Sequence, residues 1–232
     1  MKILSMDIGI NNLSYCIVSY ENNNYTIHSW DILNINPYEE INNEIAKVNK
    51  DIDKSNKKLI KEYNKTEDGE LEAIKPTIKL AKKKVKKKPT VNECSKQIIS
   101  IFDAKPMFLD CDYVVIENQP CMKNPTMKSI QMIVYSYFYI RGIIDKKENS
   151  IKDIVFLSAG NKLKVYDGPP IDINVKSRYT RSKKLGIEHT KYLLKNHEDY
   201  LSFFSSHKKK DDLADAFLQG AYFIHKRLKI TW

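Results

Sequence analysis

One carboxylate at the end of an apolar run constrains this chain more than any other feature. Ile3-Leu4-Ser5-Met6 leads into Asp7, and Ile8-Gly9-Ile10-Asn11-Asn12 follows. The run reads as the end of a buried strand, and Gly9 as the residue that lets the backbone turn sharply. Leu13–Tyr20 then reads as a second strand. A carboxylate in a buried strand is costly unless something cationic neutralises it. Either Asp7 caps the following turn through its side chain, or it anchors a metal ion. The second reading needs partners from elsewhere in the chain.

The order of elements supplies candidates. Lys2–Ile8, Leu13–Tyr20 and Tyr25–Leu33 read as three strands in an antiparallel meander, with Glu21-Asn22-Asn23-Asn24 as the turn between the last two. From Pro37 the character changes. Ile41, Ile45, Val48, Ile52 and Leu59 form a narrow helical seam that suits a helical hairpin or coiled-coil arm. A turn follows at Thr66–Glu70. Lys82-Lys83-Lys84-Val85-Lys86-Lys87-Lys88 lies beyond it, between Pro76 and Pro89. This run reads as a phosphate-contacting arm, a nuclear-import signal or a solvated segment. About 38–89 reads as an insertion into a single domain spanning 1–232.

Val91–Ala104 is the next helix, and Tyr113-Val114-Val115-Ile116 is a continuous apolar run suited to a parallel strand buried on both faces. It ends in Glu117. Pro125–Lys146 reads as a helix apolar nearly all round, fit for a core position or a subunit interface. Ile154–Leu157 reads as another buried strand, Ser158–Lys184 as a cation-rich loop, and Gly186–Asn196 and Lys208–Lys229 as helices. Asp212 and Asp215, three residues apart, share one face of the last helix.

Asp7, Glu117, Asp212 and Asp215 each have an ordinary explanation as a turn cap, a strand-end residue or helix-dipole partners. Converging, they would repel one another unless a divalent ion intervened. Oxygen-only donors select Mg²⁺ or Mn²⁺ over zinc. Two such ions can activate water and stabilise a leaving oxygen in phosphodiester hydrolysis. The formal charge of +10 favours a polyanionic partner, nucleic acid first. The four cysteines include no CxxC pair, so neither a zinc site nor a disulfide framework is indicated, and a reducing compartment fits. No stretch is long and apolar enough to span a bilayer, and the N-terminus opens straight into a strand. The expectation is a soluble, intracellular protein without membrane contact.

The ordered set resembles the RNase H-like superfamily, and within it the RuvC-type Holliday junction resolvases. The strings closest to the poxvirus-type branch are Ser5-Met6-Asp7-Ile8-Gly9-Ile10-Asn11-Asn12, Val115-Ile116-Glu117-Asn118-Gln119-Pro120 and Lys209-Lys210-Asp211-Asp212-Leu213-Ala214-Asp215-Ala216. The resemblance implies an α/β fold: a mixed five-stranded sheet, three strands antiparallel and two parallel, flanked by helices. It implies that Asp7, Glu117, Asp212 and Asp215 are catalytic and bind two Mg²⁺ ions, with Mn²⁺ as a substitute. Asp211 competes with Asp212 for that role, and the i, i+3 spacing favours Asp212.

The family's basic residues after the fifth strand would correspond to Lys162, Lys164, Arg181, Lys183 and Lys184, as DNA contacts. The implied activity is a homodimer resolving four-way DNA junctions by paired nicks, in recombination or replication. If the origin is viral, the compartment is that of viral DNA replication, the cytoplasm. Another RNase H-like nuclease, of ribonuclease or transposase type, and a non-catalytic branched-DNA-binding protein are the alternatives. A sugar-kinase or actin-like ATPase, which also opens on an Asp-x-Gly turn, is disfavoured because only seven glycines are present and none cluster.

Overall fold

In the computed structural model, which describes residues 1–66, 81–122, 124–146, 148–175 and 177–229, a five-stranded mixed sheet is the framework for the candidate site. The strands are β1 (Lys2–Asp7), β2 (Leu13–Glu21), β3 (Asn24–Leu33), β4 (Tyr113–Glu117) and β5 (Asp153–Leu157), in the order β3-β2-β1-β4-β5. β1, β2 and β3 pair antiparallel; β4 runs parallel to β1 and β5 parallel to β4. This is the sheet the sequence predicts. Asn22 and Asn23 both take positive φ, 50° and 62°, in the tight turn between β2 and β3. Asparagine tolerates that conformation, which matches the twist of the flanking strands. A register shift between Ile17 and Val18 breaks the β2–β3 ladder once.

The helices are α1 (Glu39–Thr66), α2 (Val91–Asp103), α3 (Pro125–Phe138), α4 (Arg178–Leu193), α5 (Glu198–Ser206) and α6 (Lys210–Tyr222). Strand side chains alternate between two faces, and two cores result. Leu4, Met6 and Ile8 pack with Cys94, Ile98 and Phe102 of α2 and Ile130, Val134 and Phe138 of α3. Ile3, Val18 and Val115 pack on the opposite face with Leu213, Ala214, Phe217 and Ala221 of α6. Asp7 has the parity of Ile3, so its carboxylate lies on the α6 side.

Several boundaries differ from the sequence reading. The helix expected over Pro125–Lys146 is α-helical only to Phe138 and continues as a π-helix over Tyr139–Ile144. The last helix likewise gives way to a π-helix at Phe223–Arg227. The loop expected over Ser158–Lys184 is partly ordered: Ala159–Val165 is a 3₁₀ helix, and α4 begins at Arg178, capped by the Ser177 hydroxyl. α5 has no counterpart in the sequence reading. Among the described residues no helix is long and apolar enough to cross a membrane.

Residues Pro37–Thr90 form a second compact unit, distinct from Met1–Asn36 with Val91–Trp232. Within it, α1 is accompanied by an extended segment over 81–90. The described return path is therefore extended chain and not a second helix. The turn expected at Thr66–Glu70 lies outside the described residues from Glu67 onward.

Candidate active site

Met6 and Ile116 are register partners in the parallel β1–β4 pair. One residue further on, Asp7 and Glu117 stand side by side at the C-terminal ends of these strands, on the same face. Ends of parallel strands are where open α/β sheets place their ligands. Asp212 and Asp215 come from the first turns of α6 above this edge. All four carboxylates line one cleft of about 390 Å³, with Ala159, Gly160, Lys162 and Leu163 from the 3₁₀ helix and Tyr179, Ser182 and Lys183 from α4.

The seating of α6 is enforced by close packing and by one side chain. A Cβ on Gly220 would meet Val18 Cγ1 at 3.0 Å and Ser5 Cβ at 3.2 Å, so the absence of a side chain lets helix and sheet approach. Gln219 Nε2 donates to Met6 O at 3.0 Å, Ser5 Oγ at 3.2 Å and Val115 O at 3.3 Å. A buried amide thus ties α6 to the residues that precede Asp7 and Glu117. Gly9 has a related role. Its φ is not positive, but a Cβ there would lie 2.3 Å from the Asn12 carbonyl oxygen. The turn after Asp7 needs glycine for space, not for a left-handed backbone.

Lys162 organises the charge. Its Nζ lies 2.7 Å from Asp215 Oδ2 and 3.0 Å from Glu117 Oε2. Burial acts to lower its pKa, yet Asp7, Asp215 and Glu117 together raise it, so the ammonium is firmly protonated. Burial pushes the Asp7 carboxyl well above the usual range; Glu117, which shares a hydrogen bond with it, adds to the shift and Lys162 opposes it. Burial also raises Asp215, against the pull of Lys162. Asp212 is raised by burial and then by Asp211, and its Oδ2 is buried with no hydrogen-bond partner. Asp211 differs: it pairs with Lys183, which holds its carboxyl low despite burial.

The sequence-predicted cations separate into two groups. Lys162 and Lys183 line the cleft, whereas Lys164, Arg181 and Lys184 do not. Lys164 Nζ donates to Asn161 Oδ1 instead. Arg181, Lys183 and Lys184 were expected on a loop and sit on α4, a correction that fixes which of them can face the cleft. Tyr179, Ser182 and Gln219 do not stand out in the sequence. The Ser177 cap three residues before Thr180 is the available signal for the first two.

An oxygen-only donor set with one unpartnered buried carboxylate oxygen suits a hard divalent cation. Among the described residues no three of His, Cys, Asp and Glu already stand close enough to hold an ion. Lys162 bridges Glu117 and Asp215 and offsets part of the charge of the cleft.

Comparison with known proteins bears on the family and the fold. The family model described as "Mitochondrial resolvase Ydc2 / RNA splicing MRS1", a catalytic-domain model, matches residues 3–120. The chain is 40% identical over 169 residues to the uncharacterized protein L451 of Acanthamoeba polyphaga mimivirus. That match takes in 69% of this chain and 39% of the mimivirus protein, so the chain spans about two fifths of its relative's length. The yeast mitochondrial Holliday junction resolvase Ydc2 superposes with a TM-score of 0.53 at 16% identity, over 97% of this chain and 83% of that one. RuvC of Thermus thermophilus gives 0.52 at 10% identity, over 99% and 97%. The sheet order and these likenesses bear out the RuvC-type, RNase H-like fold read from the sequence. By the family model that matches half of its length, this chain belongs to the mitochondrial resolvase Ydc2 / RNA splicing MRS1 family.

Proposed function

We propose that this chain is a divalent-metal-dependent endonuclease that nicks four-way DNA junctions. The observation that carries this reading is the convergence of Asp7, Glu117, Asp212 and Asp215, from three separate elements, on one cleft walled by Lys162 and Lys183. Carboxylates brought together at such cost are explained by a ligand that needs them.

Asp7, Glu117, Asp212 and Asp215 are the residues that would hold Mg²⁺ or Mn²⁺, in a pair of ions. When bound, such ions lower the pKa of water and stabilise the leaving oxygen of a phosphodiester, giving 5′-phosphate and 3′-hydroxyl ends. The chain's own residues do the rest. Asp7 and Glu117 are held at stiff strand ends, and Gln219 positions them through the Met6 and Val115 carbonyls. Lys162 offsets part of the carboxylate charge in the resting protein and is placed to stabilise charge developing on a phosphate oxygen. Lys183, held by Asp211, offers a second cation at the α4 wall.

A homodimer would set one such cleft on each of two strands. The face we assign to it is a groove lined by Ile99, Met132, Ile133, Ser136, Tyr137 and Ile140, beside exposed Tyr139 and Ile144. Ile99, Met132, Tyr139, Ile140 and Ile144 are exposed apolar side chains that such a contact would cover. Sedimentation at micromolar concentration is expected to give a dimer, and Ile140→Glu a monomer.

The function is tested by incubating labelled four-way junction, RNA–DNA hybrid and linear duplex with Mg²⁺ or chelator. Paired nicks in the junction alone, dependent on metal, are expected. Equal cutting of the hybrid would instead favour a ribonuclease. A second reading is nucleic-acid binding without cleavage, because the family description also covers an RNA-splicing protein. Tight binding with no metal-dependent nicking would support it.

A further inference from the structure

The helix α1 carries asparagines at 42, 49 and 56, one every seven residues. Each reads the backbone of the extended segment as a neighbouring strand would. Asn42 Nδ2 donates to Lys87 O at 2.8 Å, and its Oδ1 accepts from Lys87 N at 2.8 Å. Asn49 does the same with Lys84, at 2.9 and 2.8 Å. Asn56 does so with Ala81, at 3.0 Å in both directions. The partners step back by three residues for every seven forward, so helix and segment run antiparallel. The repeats match physically: seven helical residues rise about 10.5 Å, and three residues of extended polyproline-like chain about 9.3 Å.

This ladder orders a segment that would not order itself. Six of the seven residues Lys82–Lys88 are lysine; a run of like charge with almost no apolar burial stays disordered when left alone. Residues 81–88 are all exposed, and Val85 is 88% exposed, so no core explains the arrangement. Two lysines are partly occupied within the unit. Lys83 Nζ pairs with Asp53 Oδ1 at 2.8 Å, and Lys87 Nζ lies 5.3 Å from the centre of the Tyr38 ring. Lys82, Lys84, Lys86 and Lys88 have no ion-pair partner among the described residues. They stand at alternate positions of one extended segment, their backbones on the order of 6 Å apart along the chain.

We propose that this asparagine-laddered segment is a preformed binding edge for the phosphate backbone of duplex DNA, read without sequence preference. A dense run of exposed cations on a fixed, extended backbone suits a linear polyanion, and ordering it beforehand removes an entropic cost from binding. The proposal rests on the reading of the chain as a protein that acts on DNA, and names a second surface for that partner.

The test measures binding of the full chain to a fluorescent DNA duplex and to a four-way junction, in chelator, across a salt series. Two variants are compared: Lys82→Gln/Lys84→Gln/Lys86→Gln/Lys88→Gln, and Asn42→Ala/Asn49→Ala/Asn56→Ala, which keeps every lysine. Circular dichroism melts establish that both fold. The lysine variant is expected to bind at least tenfold more weakly at low salt. Its slope of log K against log salt should be shallower by about 0.9 for each phosphate it no longer neutralises. The asparagine variant is expected to bind several-fold more weakly although its charge is intact. Unchanged affinity and slope in the lysine variant would overturn the edge. Unchanged affinity in the asparagine variant would overturn the role of the ladder. Metal-dependent junction nicking by the wild-type chain, scored in parallel, separates these failures from failure of the nuclease reading. Wild-type protein that binds no DNA would overturn both.

Discussion

Lys162 Nζ sits 2.7 Å from Asp215 Oδ2, in the space that joins the carboxylates of β4 and α6. The resting protein therefore carries its own counter-ion where the donor set calls for a metal. A partly buried ion pair of this kind is strongly destabilising to break from one side, because the partner charge remains. On the proposed metal-dependent reading, a divalent ion held by these carboxylates would compete with the ammonium for the same oxygens.

Replacing the competitor makes that relationship measurable. Lys162→Gln is expected to melt below wild type in chelator and to gain more stability from added Mg²⁺, since binding to the folded state alone raises its stability by mass action. Nicking is expected to fall at least tenfold even at saturating metal. Thermal melts across a Mg²⁺ series, paired with turnover, check both halves. An identical Mg²⁺-induced shift in wild type and variant would contradict the competition.

The raised Asp7 carboxyl carries a stability cost with a defined pH dependence. Burial and Glu117 lift its folded pKa well above the unfolded value of about 3.9. The folded state then binds the proton more tightly, and stability falls as pH rises from the unfolded pKa through the folded one. Asp7→Asn removes that loss. In chelator at pH 7 the variant is expected to melt higher than wild type. Well below the unfolded pKa, at about pH 3 and under, where Asp7 is largely protonated in both states, the gap should close. A variant that melts lower than wild type at pH 7 would contradict the assignment.

Gly9 gives a steric test of the same strand end. Alanine there would place Cβ 2.3 Å from the Asn12 carbonyl oxygen, which is backbone and cannot rotate away. Gly9→Ala is expected to cost about 1–3 kcal/mol and to displace Asp7, with a tenfold or greater drop in nicking. Urea melts and turnover check it. A variant with wild-type stability would show that the turn has slack the structure does not display.

The strands and their order were legible because buried strands announce themselves. Val114-Val115-Ile116 is apolar on both faces, and Asn22-Asn23 is a strong turn signal. Asp7 and Glu117 stood out because each ends an apolar run. The beginning of α4 was not legible: Arg178, Thr180, Arg181, Lys183 and Lys184 offer no apolar stripe, and only the Ser177 cap marks the start. Lys162 could not be told from Lys164, since which lysine turns inward depends on the 3₁₀ helix after β5. Asn42, Asn49 and Asn56 read as an ordinary solvated helix face. Their role lies in a pairing with residues 81–87, which no local pattern reveals.

On the proposed reading, Asp7 and its three carboxylate partners form a metal-dependent nuclease centre. One gel tests it most directly: labelled four-way junction incubated with Mg²⁺ or chelator and with wild-type or Asp7→Asn protein. Wild type is expected to give paired nicks in Mg²⁺ and none in chelator, and the variant to nick at least a hundredfold more slowly while junction binding persists. Nicking by Asp7→Asn at the wild-type rate would contradict it.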